Sequence, residues 1–321
     1  MLDRSESLSQ IVAVLSDAKS IGVVGHVGPD GDALGSMIGL SIAARAAGIE
    51  ACASFAEPFV VPEEMSFLDT STLVAPSAFP NDLDVAVVVD TSVPERVGSM
   101  VGALNKAKRL VVIDHHISDG AWGEHLLIDR SAAATTELVY ELIRELGWKL
   151  TESVATALYT GIVTDTGRFQ YSSTSSRTHE IAADLIRHGV KPDIVGQKLF
   201  EEASFGYYHV ISAVVGRAVL DEKREFVWSV LTPQDLETAG IKSHETDGLI
   251  DLVRMARGTE VACLLKVKKP GLVKGSLRSR GKVDVAALAS NFGGGGHHNA
   301  AGFTSSEEPE TIIAKISAQL S

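Results

Sequence analysis

Cysteine is nearly absent. Cys52 and Cys263 are the only two in 321 residues, and they stand far apart. That excludes a disulfide-built scaffold and leaves no cysteine at metal-ligand spacing. Both read as small buried hydrophobes of a reducing compartment. Long apolar runs are missing too. No stretch approaches the roughly 20 residues that a membrane span needs, and the polar segment Met1–Gln10 carries no apolar signal core. A cytoplasmic protein without membrane contact is expected. Positive charge is scarce: 29 Lys and Arg face 41 Asp and Glu, for a net charge of −12. A grip on long nucleic acid neutralises many phosphates with Lys and Arg, so long nucleic acid is excluded as the main partner. A small phosphate-bearing substrate stays open, because bound divalent cations can supply the positive charge that the side chains lack. There is no internal repeat, and low complexity is confined to the glycine run 293–296.

What is present suits a soluble globular chain, with 45% hydrophobic and 22% charged residues. At roughly 100–200 residues per domain, the length points to two domains. An amphipathic helix is expected over 5–18. The apolar run IGVVGH (21–26) reads as a buried strand, followed by the loop VGPDGD (27–32) and a helix over 33–48 that stops at Gly48. The same beat returns in the strands DVAVVVD (84–90) and RLVVID (109–114) and in helices over about 134–147 and 152–163. Strands alternating with helices predict an α/β fold with a parallel sheet and helices on both faces. In such sheets the chemistry sits at the carboxyl ends of the strands. The pattern changes over 187–210, where FEEASFGYYHV reads as a connecting helix. From about 211 the runs ISAVVGRAVL, EFVWSVL, EVACLLKV and VKGSLRS read as strands of a smaller, mixed α/β domain. Its sheet is expected to be mostly antiparallel, with a helix over 245–257 packed against it. The domains expected are 1–186 and 211–321, joined by a linker over 187–210.

Polar clusters fall where the elements end. His26, Asp30 and Asp32 lie in HVGPDGD, where carboxylates two residues apart can face neighbouring metals; alone, the DGD turn suits a solvated loop equally well. Asp90 closes five apolar residues, and a half-buried acid there is costly unless it is paired or binds a metal; a turn former for TSVPE is the other reading. Asp114, His115 and His116 follow RLVVI. They suggest a metal ligand, a phosphate-facing group and a carboxylate that orients an imidazole. Asp165 emerges from GIVTDTGRF, with Thr164 and Thr166 beside it. Oxygen-rich ligands with a few imidazoles suit Mn²⁺, Mg²⁺ or Fe²⁺ better than structural zinc. A carboxylate able to bridge two ions marks a two-metal hydrolytic site. In GGGGHHNAAG (293–302), Gly294, Gly295 and Gly296 let backbone N–H groups approach an anion, and His297, His298 and Asn299 add side-chain donors. Alternation along GSLRSR (275–280) puts Ser276, Arg278 and Arg280 on one face, and Arg278 can clamp a phosphate through two hydrogen bonds. His125, His179, His188, His209 and His244 have no companions at ligand spacing and read as structural or surface residues.

In this order HVGPDGDALGS, VVVDTS, IDHH and GIVTDTGRF resemble the four motifs of the DHH phosphoesterase superfamily. SLRSR followed by GGGGHHNAAGF resembles its DHH-associated C-terminal domain. The length and the short linker are similar to the branch of nano-RNases and pAp phosphatases. The resemblance implies that His26 and Asp30 hold a first Mn²⁺, that Asp90 bridges to a second, and that Asp32, His115 and Asp165 complete the second site. Mg²⁺ or another divalent ion is the alternative. It further implies that His116 contacts the phosphate or acts as an acid and that Asp114 orients His115. Ser276, Arg278, His297, His298, Asn299 and the glycines 294–296 would hold the substrate. The substrates it implies are oligoribonucleotides of a few nucleotides, pAp, and linear or cyclic dinucleotides, and it suggests a homodimer. A family II pyrophosphatase, a RecJ-like single-strand exonuclease and a non-catalytic nucleotide-binding module are the other readings.

Overall fold

The computed structural model describes residues 4–116, 122–246 and 248–320, without the side chain of His244, so the reading of that histidine lies outside the described side chains. The chain divides into two compact units, Met1–Glu202 and Ala203–Ser321. The first contains, in order, α1 (Arg4–Ser16), β1 (Ser20–Val24), α2 (Gly31–Ala46), β2 (Glu50–Ser54), β3 (Val85–Val89), α3 (Pro94–Val97), α4 (Val101–Leu104), β4 (Arg109–Asp114), β5 (His125–Ile128), α5 (Thr135–Glu145), α6 (Glu152–Asp165), α7 (Ser176–Arg187) and α8 (Pro192–Phe200).

Its five strands are all parallel, in the order β2-β1-β3-β4-β5. Alternate side chains feed two cores. Val23, Val87 and Ile113 pack with Leu34, Leu138 and Leu158 of α2, α5 and α6. Val24, Val88 and Val112 pack on the other face with Val97 of α3, Leu104 of α4 and Met100 from the 3₁₀ turn between them. A sheet buried on both faces explains why β3 is a run of apolar residues rather than an alternation. The chain winds outward in one direction from β1 to β2 and in the other from β3 onward. The crevice at the strands' carboxyl ends therefore opens between β1 and β3.

Helices α2 and α6 run antiparallel in close contact. A Cβ at Gly35 would collide with the Ala157 carbonyl oxygen, so the small residue sets the helix spacing. This packing carries Asp165, the last residue of α6, to the start of α2, where Asp30 and Asp32 lie.

The second unit holds α9 (Phe205–Gly216), β6 (Val219–Asp221), β7 (Phe226–Leu231), α10 (Pro233–Ala239), α11 (Leu249–Val253), β8 (Val261–Lys269), β9 (Leu272–Ser279), α12 (Val285–Ser290), β10 (Gly295–His297), β11 (Ala300–Ser305) and α13 (Pro309–Gln319). Its sheet has the order β10-β11-β9-β8-β7-β6 and is antiparallel except where β7 pairs with β8. Cys263, Leu265 and Leu277 face α12 and α13, and Ala262 and Leu264 face α9 and α11.

Three expectations are corrected. The run ISAVVGRAVL begins as helix, because α9 extends to Gly216 and only Val219–Asp221 is strand. Val210 and Val214, one helical turn apart, are both fully buried, and a short β-branched run carries no period that distinguishes the two states. The connecting helix expected over 200–210 is broken: α8 ends at Phe200 and α9 starts after Ser204. The helix expected over 245–257 shrinks to α11, preceded by a short 3₁₀ turn, Ser243–Thr246. Among the described residues no helix is long and apolar enough to cross a membrane.

Candidate active site

Every acidic or histidine residue read as a site candidate in the first unit lies at the carboxyl ends of β1, β3 and β4 or at the facing ends of α2 and α6. His26 follows β1. Asp30 caps α2, its Oδ1 accepting from the amides of Asp32 and Ala33 at 3.1 Å. Its Oδ2 lies 3.8 Å from His26 Nε2. Asp90 follows β3 in a left-handed conformation, with φ at 60°, and its amide still donates to Ile113 at 3.0 Å. Such a conformation is strained for a non-glycine residue and is held by its surroundings.

The two Asp90 oxygens face different partners. Oδ2 is 3.4 Å from His26 Nε2, whereas Oδ1 is 3.7 Å from His115 Nε2 and 3.6 Å from His116 Nδ1. His115 Nε2 is also 3.8 Å from Asp32 and 3.3 Å from Asp165. The ligand atoms of His26, Asp30 and Asp90 lie within 4.8 Å of one another, and so do those of Asp32, Asp90 and His115. Asp90 belongs to both groups.

Asp114 does not orient His115. Its Oδ1 accepts from His116, through Nδ1 at 2.7 Å and the amide at 3.1 Å. His115 Nδ1 faces the Ala132 carbonyl at 3.3 Å instead. Adjacent residues at a strand end point in opposite directions, so only one of the two imidazoles can turn back onto Asp114.

Burial and crowded charge shift these groups strongly. Burial pushes the Asp90 carboxyl well above its ordinary range, and the charge of Asp32 adds to this. Asp165 is raised by the same two causes. Burial opposes a charge on His26, but Asp30 and Asp90 outweigh it and raise the imidazole from 6.5 to about 10. On Asp30 the crowding of surrounding protein works upward, and His26 outweighs it, bringing the carboxyl down to about 2. His115 is raised by Asp32 and Asp90 against burial. Asp114 is lowered because His116 outweighs burial.

Five carboxylates thus surround three imidazoles in a largely buried crevice, and protons are retained where positive charge is short. His26 Nε2 is buried without a hydrogen-bond partner and points at two carboxylates. Divalent cations fit this donor set, since ligands of this kind release protons when a metal binds.

Two residues that touch the carboxylates of the site are unmarked in the sequence. Thr135 and Thr136, at the start of α5, donate to Asp32 and Asp90. A Thr-Thr pair ahead of an amphipathic run signals a helix start and nothing about which distant carboxylate it meets.

In the second unit the strand register puts Ser276, Arg278 and His297 on one sheet face, because Ala300 pairs with both Arg278 and His297 and Gly302 pairs with Ser276. Arg278 Nη1 donates to the Leu277 carbonyl at 3.1 Å, and its buried Nε lies 3.7 Å from Asp251 without a hydrogen bond. Arg280, expected beside it, instead donates to the Arg254 and Ala256 carbonyls. His298 is directed elsewhere: its Nε2 contacts the Gly281 carbonyl at 3.0 Å and its Nδ1 lies 3.7 Å from Asp284. Asn299 Oδ1 accepts from Ser279 at 3.2 Å. Gly294 and Gly296 are needed for packing, as a Cβ at either would collide with β11, while Gly295 faces open space.

Comparison with known proteins gives the family. Residues 20–162 match the DHH family, N-terminal domain, and residues 226–321 match the DHHA1 domain. The chain is 33% identical over 304 residues to the bifunctional oligoribonuclease and PAP phosphatase NrnA of Thermus thermophilus, across 93% of this chain and 88% of that protein. It is 29% identical to the protein of that description in Bacillus subtilis, across 96% and 97%. The crystal structure of an exopolyphosphatase-related protein from Bacteroides fragilis superposes with a TM-score of 0.90 at 23% identity, covering 98% of this chain and 96% of that one.

Proposed function

The chain belongs to the DHH family and is a phosphoesterase, and we propose that it uses two divalent cations, Mn²⁺ in the first instance, to hydrolyse oligoribonucleotides of a few nucleotides and pAp. The observation that carries this reading is the split of the Asp90 carboxylate, one oxygen toward His26 and the other toward His115 and His116. In the proposed assignment His26 and Asp30 hold one ion, Asp32, His115 and Asp165 hold the other, and Asp90 serves both. Held by these residues, divalent cations would supply polarisation of phosphoryl oxygens and a lowered pKa for a water nucleophile.

The side chains do the rest. A carboxylate only accepts, so the 2.7 Å contact with Asp114 fixes the proton of His116 on Nδ1. His116 Nε2 is then oriented for the phosphate or the leaving oxygen, and Asp114 stabilises the imidazolium when His116 carries a second proton. Arg278, Ser276 and His297 on one sheet face, with the glycines 294–296 beside His297 in sequence, form the proposed grip on the substrate's phosphate end, while His298 and Asn299 are engaged by Gly281 and Ser279. Support for short substrates comes from the two relatives described as oligoribonucleases and PAP phosphatases and from the shortage of basic residues. The two buried free thiols, Cys52 and Cys263, suit a reducing cytoplasm. A homodimer is the proposed assembly, and light scattering on the purified chain checks it.

The test is a length ladder. End-labelled RNAs from the dinucleotide upward, with pAp, linear and cyclic dinucleotides and pyrophosphate alongside, are incubated with the protein and Mn²⁺. The shortest RNAs and pAp should be consumed fastest, with the rate fading as length grows. Equal rates on long strands, or activity on pyrophosphate alone, would overturn the substrate assignment.

A further inference from the structure

The proposed chemistry leaves the start of α5 without a role, although it touches both central carboxylates. Thr135 is fully buried. Its amide donates to Asp32 Oδ2 at 2.6 Å and its hydroxyl to Asp90 Oδ1 at 2.9 Å. Thr136 donates to the other Asp32 oxygen through its amide at 2.9 Å and its hydroxyl at 2.8 Å. Asp32 is thereby held as a fixed anchor, where unpaired helix amides and the helix dipole favour negative charge. Asp90 needs more control. The terminal torsion of an Asp side chain is broad, yet its two oxygens must be shared between two sets of imidazoles. The oxygen that Thr135 holds is the one facing His115 and His116.

We propose that Thr135 is a positioning residue whose hydroxyl sets the rotation of the Asp90 carboxylate and whose amide keeps Asp32 in register with it. One residue then fixes the relative orientation of two proposed ligands. The inference rests on the two-cation reading above. Valine matches threonine in shape but lacks the donor, and serine keeps the donor but lacks the methyl group.

The experiment titrates Mn²⁺ into metal-stripped wild type, Thr135→Val and Thr135→Ser and follows the rise in Tm. It then measures KM and kcat on a short RNA at saturating Mn²⁺. Thr135→Val should need about 10–100-fold more Mn²⁺ to reach half the rise, the usual cost of removing a partner of a ligand. Its kcat should fall with KM unchanged, and Thr135→Ser should track wild type. A Thr135→Val titration that matches wild type overturns the proposal. So does equal loss in the serine variant, which would place the effect in methyl packing. Should Thr135→Val not fold, Thr135→Ala removes the same hydroxyl and is read by the same criteria. A wild type with no Mn²⁺-dependent rise would sink the two-cation reading itself, and that failure is visible before any variant is compared.

Discussion

The two units treat charge in opposite ways. In the first, five carboxylates and three imidazoles crowd one crevice, and His26, Asp32, Asp90, Asp114 and His115 are buried. In the second, Arg278 and His298 lie on or beside an open sheet, each tied to a backbone carbonyl with an acid nearby. Holding ionisable groups out of water costs free energy unless something compensates, so the first arrangement persists only for a purpose that needs it. Presenting donors to an anion costs little, and the second arrangement leaves no such mark. Burial therefore identifies the first set of residues, whereas register alone identifies the second.

The contrast is broken most directly at Asp90. Asp90→Ala should lower kcat by at least about 10³-fold, the equivalent of losing roughly 4 kcal/mol of metal-derived stabilisation. Substantial Mn²⁺-dependent turnover in that variant would remove Asp90 from the centre of the account. Arg278→Ala should act on the other side of the comparison. Loss of a charge-assisted hydrogen bond costs about 1.5–3 kcal/mol, so KM should rise roughly 10–100-fold while kcat changes less; an unchanged KM would refute the grip.

Gly161→Ala probes how packing serves chemistry. The added Cβ would collide with Thr136 and sit 2.9 Å from Asp32 Oδ1. Overpacking of this kind costs about 1–3 kcal/mol, so a thermal melt should show lower stability and a Mn²⁺ titration weaker binding. Retained Mn²⁺ affinity would separate the packing from the site.

The smallest effect is expected at Asp235. It caps α10 through Thr232, and a hydrogen bond from Arg217 lowers its carboxyl to about 2. A carboxyl lowered in the folded state stabilises above its ordinary value of 3.8 and loses that contribution as pH falls toward 2. Asp235→Asn should melt a few degrees below wild type at neutral pH, with the gap closing between about pH 4 and pH 2. A gap independent of pH would assign the loss to the cap alone.

Much of the first unit was legible because its strands are uninterrupted apolar runs that end in a charged residue. RLVVID reads as β4 to the residue, and the same rule places His26 and Asp90 at neighbouring strand ends. The strand β2, EACAS, is not legible in the sequence because alanine, cysteine and serine carry little strand signal; its pairing with β1 and a bridge from Ala53 to Leu73 hold it. Asp114 was legible as an orienting carboxylate, but its choice of His116 over His115 depends on how the chain turns after β4. Thr135 and Thr136 were invisible as site residues because their partners lie about a hundred positions earlier for Asp32 and forty-five for Asp90. In the second unit GGGGHHNAAG was legible as a special loop. That its histidines part company, and that a Cβ at Gly294 or Gly296 would collide with β11, needed the register.

The central claim is that Asp90 sits between two cation sites, and calorimetric titration of Mn²⁺ into the metal-stripped protein tests it most directly. The account predicts two ions bound per chain in wild type and weakened binding of both in Asp90→Asn, which retains the shape and loses the charge. A single ion in wild type, or unchanged binding of both in the variant, would contradict it.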